Sequence, residues 1–150
     1  MRPDGPPIGL LLATTSKAVG RAFNNALNES GGSIPIWRIL NALKTEPRRT
    51  QLDLARAVGI EGPTLTRHLA GLEQAGLVER QRGGVDRRAV QVGLTSAGHA
   101  LHGRLLKSVI TFNEQLRSGL SADDLETLRR LLDRLQHNVS EREAASGQAG

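Results

Sequence analysis

The sequence predicts a mainly α-helical chain with one small β-hairpin. Three observations predict it. Apolar residues recur at helical spacing through the first half of the chain and again through its last third. Between these stretches, from Leu77 to Leu94, the period drops to two. The boundaries carry residues that start and stop helices, with Ser33, Thr50, Thr95 and Ser121 ahead of the runs and Gly31, Gly59 and Gly76 behind them. A single domain of 150 residues buries enough surface to fold without a staple.

Pro6-Pro7 opens the first helix, because proline is tolerated in a first helical turn. Ile8, Leu11, Leu12, Val19, Phe23 and Leu27 follow at helical spacing, which predicts a helix over about 7–29, broken by Gly31-Gly32. Ser33 caps a second helix with Pro35 in its first turn. Ile36, Ile39, Leu40 and Leu43 form its buried stripe, and Pro47 ends it. Thr50-Gln51-Leu52-Asp53 has the form of a capping box and opens a short third helix to about Val58. Gly59 supplies a turn. Pro63 sits in the first turn of a fourth helix, whose apolar face is Leu65, Leu69 and Leu72 and whose stop is Gly76.

The strand pattern comes next. Leu77–Arg82 and Ala89–Leu94 flank a Gly-rich tip. Val90, Val92 and Leu94 alternate with Gln91 and Gly93, so one face of the hairpin is expected to be buried. Thr95 caps a long helix to about Ser118, with Leu101, Leu105, Val109, Phe112 and Leu116 as its apolar positions. Ser121 and Asp124 form a further capping box. Leu125, Leu128, Leu132, Leu135 and Val139 then follow at 3-4-3-4 spacing, a coiled-coil-like seam. Residues 144–150 are small and polar and are expected to be disordered.

Composition narrows the function. Lys and Arg number 20 against 15 Asp and Glu, for a net charge of +5, and all the basic residues but Lys17, Lys44 and Lys107 are Arg. Arg pairs with phosphate and with guanine edges through a planar fork. A GC-rich coding sequence writes the same bias, so charge alone leaves nucleic-acid binding open. The only aromatics are Phe23, Trp37 and Phe112. That is too few for a base-stacking platform, so a nucleic-acid partner is expected to be a duplex. The absence of cysteine excludes disulfides, a Cys-ligated zinc and a thiol nucleophile or redox sensor. No apolar run approaches the ~20 residues of a membrane span, and Met1–Leu12 lacks the basic start of a secretory signal, so a cytoplasmic protein is expected.

Two constellations carry the functional reading. In Gln51–Leu72 two short helices meet at a tight turn. Ala55 stands four residues before Gly59, and Leu54, Val58, Ile60 and Leu65 supply a small shared core. By itself this fits a helix-turn-helix and an ordinary αα-corner equally well. The hairpin behind it favours a winged helix-turn-helix. On the fourth helix Thr64, Thr66, Arg67, His68 and Gly71 lie off the leucine stripe, and short hydroxyls with an Arg suit a major groove. The second constellation is the tip, Gly83 to Arg88. In strand geometry Asp86 and Arg88 project from one face, so Asp86 can hold Arg88 extended toward a minor groove. The bland reading is a polar turn with a surface ion pair.

At this point the sequence resembles the MarR-type winged-helix transcriptional regulators, ungapped from about Ile36 to Leu101. The resemblance rests on Trp37-Arg38-Ile39-Leu40, Gln51-Leu52-Asp53-Leu54-Ala55, Thr64-Leu65-Thr66-Arg67 and Leu72-Glu73-Gln74-Ala75-Gly76-Leu77-Val78. It continues through Asp86-Arg87-Arg88-Ala89-Val90 and Leu94-Thr95-Ser96-Ala97-Gly98. The tip departs from the family in carrying Gly83-Gly84 where an Asp-Pro turn often stands. The resemblance implies a winged DNA-binding part over about 33–94, with 7–29 and 96–139 as dimerisation helices of an obligate homodimer. It implies repression from a pseudo-palindromic operator, relieved by small, often aromatic anions.

The expected DNA contacts are Thr50 and Gln51 near phosphates, Pro63, Thr64, Thr66, Arg67 and His68 in the major groove, and Asp86, Arg87 and Arg88 at the wing. For an effector, the family's pocket suggests Trp37, with Arg38 or His102 to pair an anion; Trp37 fits a core position as well. His99 and His102 are i, i+3 on one helix, but no carboxylate lies nearby in sequence, so no metal site is expected. No Ser-His-Asp signature or phosphate-cradling loop appears, and Asp123-Asp124 reads as a helix start, so neither an enzyme nor a cofactor is expected. The competing class is a dimeric winged-helix interaction protein without operator binding, against which the basic Arg87 and Arg88 argue.

Overall fold

A computed structural model describes residues 5–83 and 89–147. The elements run α1 (Ile8–Glu29), α2 (Ile34–Thr45), β1 (Arg49–Thr50), α3 (Gln51–Val58), α4 (Gly62–Gln74), β2 (Val78–Arg82), β3 (Val90–Leu94), α5 (Ser96–Arg117) and α6 (Ala122–Gly147). By packing, the chain divides into two compact units, Met1–Phe112 and Asn113–Gly150.

In the first unit, side-chain caps set most helix starts. Ser33 Oγ accepts from the Ile36 amide at 3.4 Å, Thr50 Oγ1 from Asp53 at 3.1 Å, and Thr95 Oγ1 from Gly98 at 3.1 Å. The core takes Leu27 from α1, Ile39, Leu40 and Leu43 from α2, and Leu54 and Val58 from α3. Leu65, Leu69 and Leu72 come from α4, Val78 and Val92 from the sheet, and Leu101 and Leu105 from α5. A fully buried Leu stabilises the fold by about 1.5–3 kcal/mol relative to exposure, so this one cluster holds five helices and the sheet together.

The sheet is larger than the expected hairpin. It has three antiparallel strands in the order β1-β3-β2, with Arg49 opposite Val92 and Thr50 opposite Gln91. β1 is two residues long, and Thr50 serves both as its end and as the cap of α3. The hairpin register runs from Val78 opposite Leu94 to Arg82 opposite Val90. The buried face expected of Val90, Val92 and Leu94 is confined to the base. Val92 is buried and Leu94 half-buried, but Val90 is exposed, because it stands beyond the reach of the helices.

α5 begins in close contact with the hairpin. Thr95 donates through its amide to Leu77 O at 3.2 Å and through its hydroxyl to Gly76 O at 2.6 Å. Gly98 is buried there, and a Cβ built on it would stand 2.0 Å from Leu77 O. α1 is buried only near its C-terminal end: Leu27 enters the core and Phe23 stacks on Phe112 at 5.0 Å, while Ile8, Leu10 and Leu11 are half or more exposed.

The second unit is dominated by α6. Ser121 and Asp124 form a reciprocal box, Ser121 N to Asp124 Oδ2 at 2.8 Å and Asp124 N to Ser121 Oγ at 3.1 Å. Hydrogen bonds from the Ser121 amide and hydroxyl hold the Asp124 carboxyl below its usual range. Along the seam Leu125 and Leu135 are half-buried, and Leu128, Leu132 and Val139 are exposed. The helix continues past Val139 to Gly147, so the expected tail of 144–150 is helical over 144–147. The run Glu141-Arg142-Glu143-Ala144-Ala145 consists of strong helix formers, which accounts for the extension. Among the described residues no helix is long and apolar enough to cross a membrane.

Candidate nucleic-acid interface

α3 and α4 form the expected helix-turn-helix. Gly59 takes the left-handed conformation at φ 65° and ψ 33°, and its amide bonds back to Ala55 O at 2.9 Å, which closes α3 and turns the chain. Leu54, Val58 and Leu65 are buried between the helices, with Ile60 half-buried beside them. Pro63 stands in the first turn of α4. The leucine stripe of α4 faces inward, which leaves Pro63, Thr66, Arg67 and Gly71 exposed. Thr64 and His68, one turn apart, are half-buried on the flank of that strip.

A chain of polar bonds sets the pitch of α4 against its neighbours. Thr66 Oγ1 donates to Gly62 O at 2.9 Å and accepts from Gln51 Nε2 at 2.5 Å. Gln51 Oε1 in turn accepts from Arg80 at 3.5 Å, and Arg80 Nε pairs with Glu73 Oε2 at 3.0 Å. The first turn of α3, both ends of α4 and strand β2 are thereby tied together. Gln51 and Thr66, both expected to touch DNA, bond each other in the DNA-free chain. Arg80 and Glu73 had no signal in the sequence, because seven residues and a turn separate them and only the fold brings them together. Arg48 reaches β2 in the same way, bonding Gln81 Oε1. Asp86, Arg87 and Arg88 lie outside the described residues.

The three effector candidates lie close together but differ in what they bring. His102 is buried, stacks on Trp37 at 5.2 Å and 19°, and its Nε2 meets Asn41 Oδ1 at 3.1 Å. Burial foremost, then Lys44 and His99, pushes its pKa below the usual 6.5, so the ring is neutral at pH 7 and brings no charge to an anion. His99 is occupied separately, with Nδ1 against Lys44 Nζ at 3.2 Å. Among the described residues no group of three His, Asp or Glu is placed to hold a metal ion. Arg38 is exposed in an open groove between α2 and α3 that Trp37 also lines.

Residues 34–89, which run from α2 through α3 and α4 to β2 and stop before β3, match the MarR family model. Most of the chain also superposes on solved structures. A cysteine-to-serine variant of MarR from E. coli, complexed with operator DNA, is 27% identical with a TM-score of 0.78, over 86% of this chain and 93% of that one. The chain is thus similar to the MarR family, in its central segment by the family model and more widely in fold. Two further solved structures extend the likeness. The transcriptional repressor CouR, bound to a 23-mer DNA duplex, is 27% identical with a TM-score of 0.79, over 87% of this chain and 92% of that one. The PcaV transcriptional regulator from Streptomyces coelicolor is 25% identical with a TM-score of 0.79, over 91% and 99%. Each of these three is either described as a regulator of transcription or complexed with operator DNA.

Proposed function

We propose that this chain is a MarR-type cytoplasmic transcriptional repressor that binds a pseudo-palindromic operator in double-stranded DNA as a homodimer and is released by a small aromatic anion. The observation that carries the DNA reading is the exposed strip of α4, Pro63, Thr66, Arg67 and Gly71, pinned to α3 and β2 by the Gln51–Thr66 and Arg80–Glu73 bonds. A rigid helix with small side chains and one guanidinium suits a major groove. Thr50, at the first turn of α3, and Gln51 are suited to nearby phosphates. Thr64 and His68 flank the strip. From the sequence, Arg88 is assigned to the minor groove with Asp86 orienting it, and Arg87 to phosphate. The exposed apolar residues of α1 and of α6 support the homodimer, since a monomer leaves them to water. For the effector, Trp37 supplies a ring and Arg38 a charge, with His102 as a stacked neutral wall.

A gel shift with the DNA upstream of the protein's own gene, at two salt concentrations, tests this reading. Each phosphate contact releases counterion, so affinity is expected to fall linearly on a log–log plot with a slope of roughly −0.9 per contact. Arg67→Ala is expected to cost roughly 1–3 kcal/mol and to relax specificity at the bases it meets. Equal binding to operator and unrelated duplex overturns the reading.

A further inference from the structure

The bonds that brace α4 also settle what Thr66 can offer a base. Arg80 carries only donors, so Gln51 must turn its amide oxygen toward it, at 3.5 Å, and its Nε2 toward Thr66 Oγ1, at 2.5 Å. Thr66 is therefore the acceptor in that bond. Its own hydroxyl proton goes to Gly62 O, one turn back, at 2.9 Å. A threonine hydroxyl has one proton and two lone pairs, so Thr66 keeps no donor and a single lone pair. The bond to Gly62 also selects between the χ1 positions open to a helical threonine, which fixes the γ-methyl. Thr66 is exposed, and the methyl is the part of it that no hydrogen bond holds. The exposed residues before it in α4 are apolar. Gly62 has no side chain, and Pro63 has neither a side-chain donor nor an amide N–H. Pro63 stands three residues before Thr66, on the same face of the helix. Arg67 is the first exposed side chain of α4 with a donor to spare.

We propose that Thr66 is a specificity-determining residue: it reads the 5-methyl group of a thymine in each operator half-site through its own methyl, with the Pro63 ring beside it. The proposal rests on the operator reading above. In that docking the N-terminal residues of a recognition helix meet base edges in the major groove. Thymine is the base that presents a methyl there, and a threonine methyl is among the groups that pack on it. Residue type alone suggests a hydroxyl contact at this position. The bonding leaves a methyl, because Gln51 and Gly62 have taken up the hydroxyl. Arg67, one residue on, is turned about 100° round the helix and is left to a different base.

The test uses the full chain and a synthetic duplex carrying the segment that it shifts upstream of its own gene. Each thymine of one half-site is replaced in turn by deoxyuridine, which pairs identically and lacks only the 5-methyl. For the wild-type protein, one position is expected to lower affinity about fourfold, the size of one buried methyl. Thr66→Ser keeps the hydroxyl and loses the γ-methyl, so it should bind the thymine and deoxyuridine duplexes equally at that position. Thr66→Val keeps the methyl and loses the hydroxyl, so it should retain the thymine preference while the lost Gln51 bond weakens both duplexes alike. Circular dichroism confirms that both variants fold. Wild-type affinity that deoxyuridine changes at no position overturns the proposal. So does a Thr66→Ser protein that keeps the preference, or a Thr66→Val protein that loses it, which assigns the contact to the hydroxyl. Equal wild-type binding to operator and unrelated duplex overturns the operator reading and this proposal together. Sequence preference without sensitivity to the methyl overturns this proposal alone, so the two failures are distinguishable.

Discussion

Replacing Gly98 with alanine is expected to destabilise the protein although it improves the helix. Gly98 lies in the first turn of α5, and alanine is favoured there over glycine by about 1 kcal/mol of helix propensity. The added Cβ would stand 2.0 Å from Leu77 O, 3.1 Å from Leu77 C and 3.3 Å from a Leu94 methyl. The first distance falls more than an ångström short of ordinary contact, and the obstacle is backbone. Leu77 cannot yield cheaply: its amide donates to Leu72 O at 2.9 Å and its carbonyl accepts from Thr95 at 3.2 Å. Overpacking of this kind costs roughly 1–3 kcal/mol or more, and loss of the Thr95 bond adds about 1 kcal/mol. Set against the propensity gain, a net loss of about 2 kcal/mol follows. Thermal unfolding at fixed protein concentration reads it as a fall in Tm of roughly 4–8 °C. Gly71→Ala, the same exchange in α4 with nothing within 4 Å of the new Cβ, is the control and is expected to gain about 0.5–1 kcal/mol. A Gly98→Ala protein as stable as wild type refutes the argued junction between hairpin and α5.

Three further outcomes are expected. Leu128→Asp with Leu132→Asp places charges on the exposed seam of α6 and should abolish both dimer and operator binding; sedimentation showing a wild-type monomer at micromolar concentration contradicts this. His102 is neutral when folded but free to protonate when unfolded, so its contribution to stability is complete above pH 6.5 and is lost as pH falls below it toward the depressed folded value. Urea titrations at pH 7.5 and 5.5 should show that loss, and His102→Asn should shrink it; an unchanged pH difference in the variant removes His102 as the cause. Gln51→Ala and Thr66→Val remove opposite ends of one hydrogen bond, so their effects on operator affinity should couple by about 0.5–3 kcal/mol in a double-mutant cycle. Simple additivity means that the two act separately.

Helix starts are legible in this sequence because capping is local chemistry. Ser33, Thr50, Thr95 and Ser121 each bond an amide three residues on, and each stands at the start of its helix. Buried stripes are legible for the same reason: Leu65, Leu69 and Leu72 repeat at the helical period and all enter the core. What pairs across the fold is not local. β1 carries two residues, too few to show a period, and exists only because β3 lies beside it. Val90 has the right residue type for a buried strand face, but its place near the hairpin tip leaves it exposed. The candidate interface divides along the same line. Thr66, Arg67 and Gly71 are readable as the polar face of one helix. The partnership of Gln51 with Thr66, the Arg80–Glu73 brace and the gathering of Arg38, Arg49 and Arg56 in one groove join residues from different elements, and no spacing in the chain announces them. His102 shows the limit from the other side. Its residue type suggested a cation for an effector, and burial beside Lys44 and His99 makes it neutral.

Two copies of this chain are expected to present two recognition helices to one operator. A hydroxyl-radical footprint of the purified protein on the DNA upstream of its own gene tests it most directly. Two protected blocks related by two-fold symmetry are expected, their centres one helical turn or roughly 10 bp apart, formed by one dimer. Protection without two-fold symmetry, or a single protected block saturated by one chain, contradicts it.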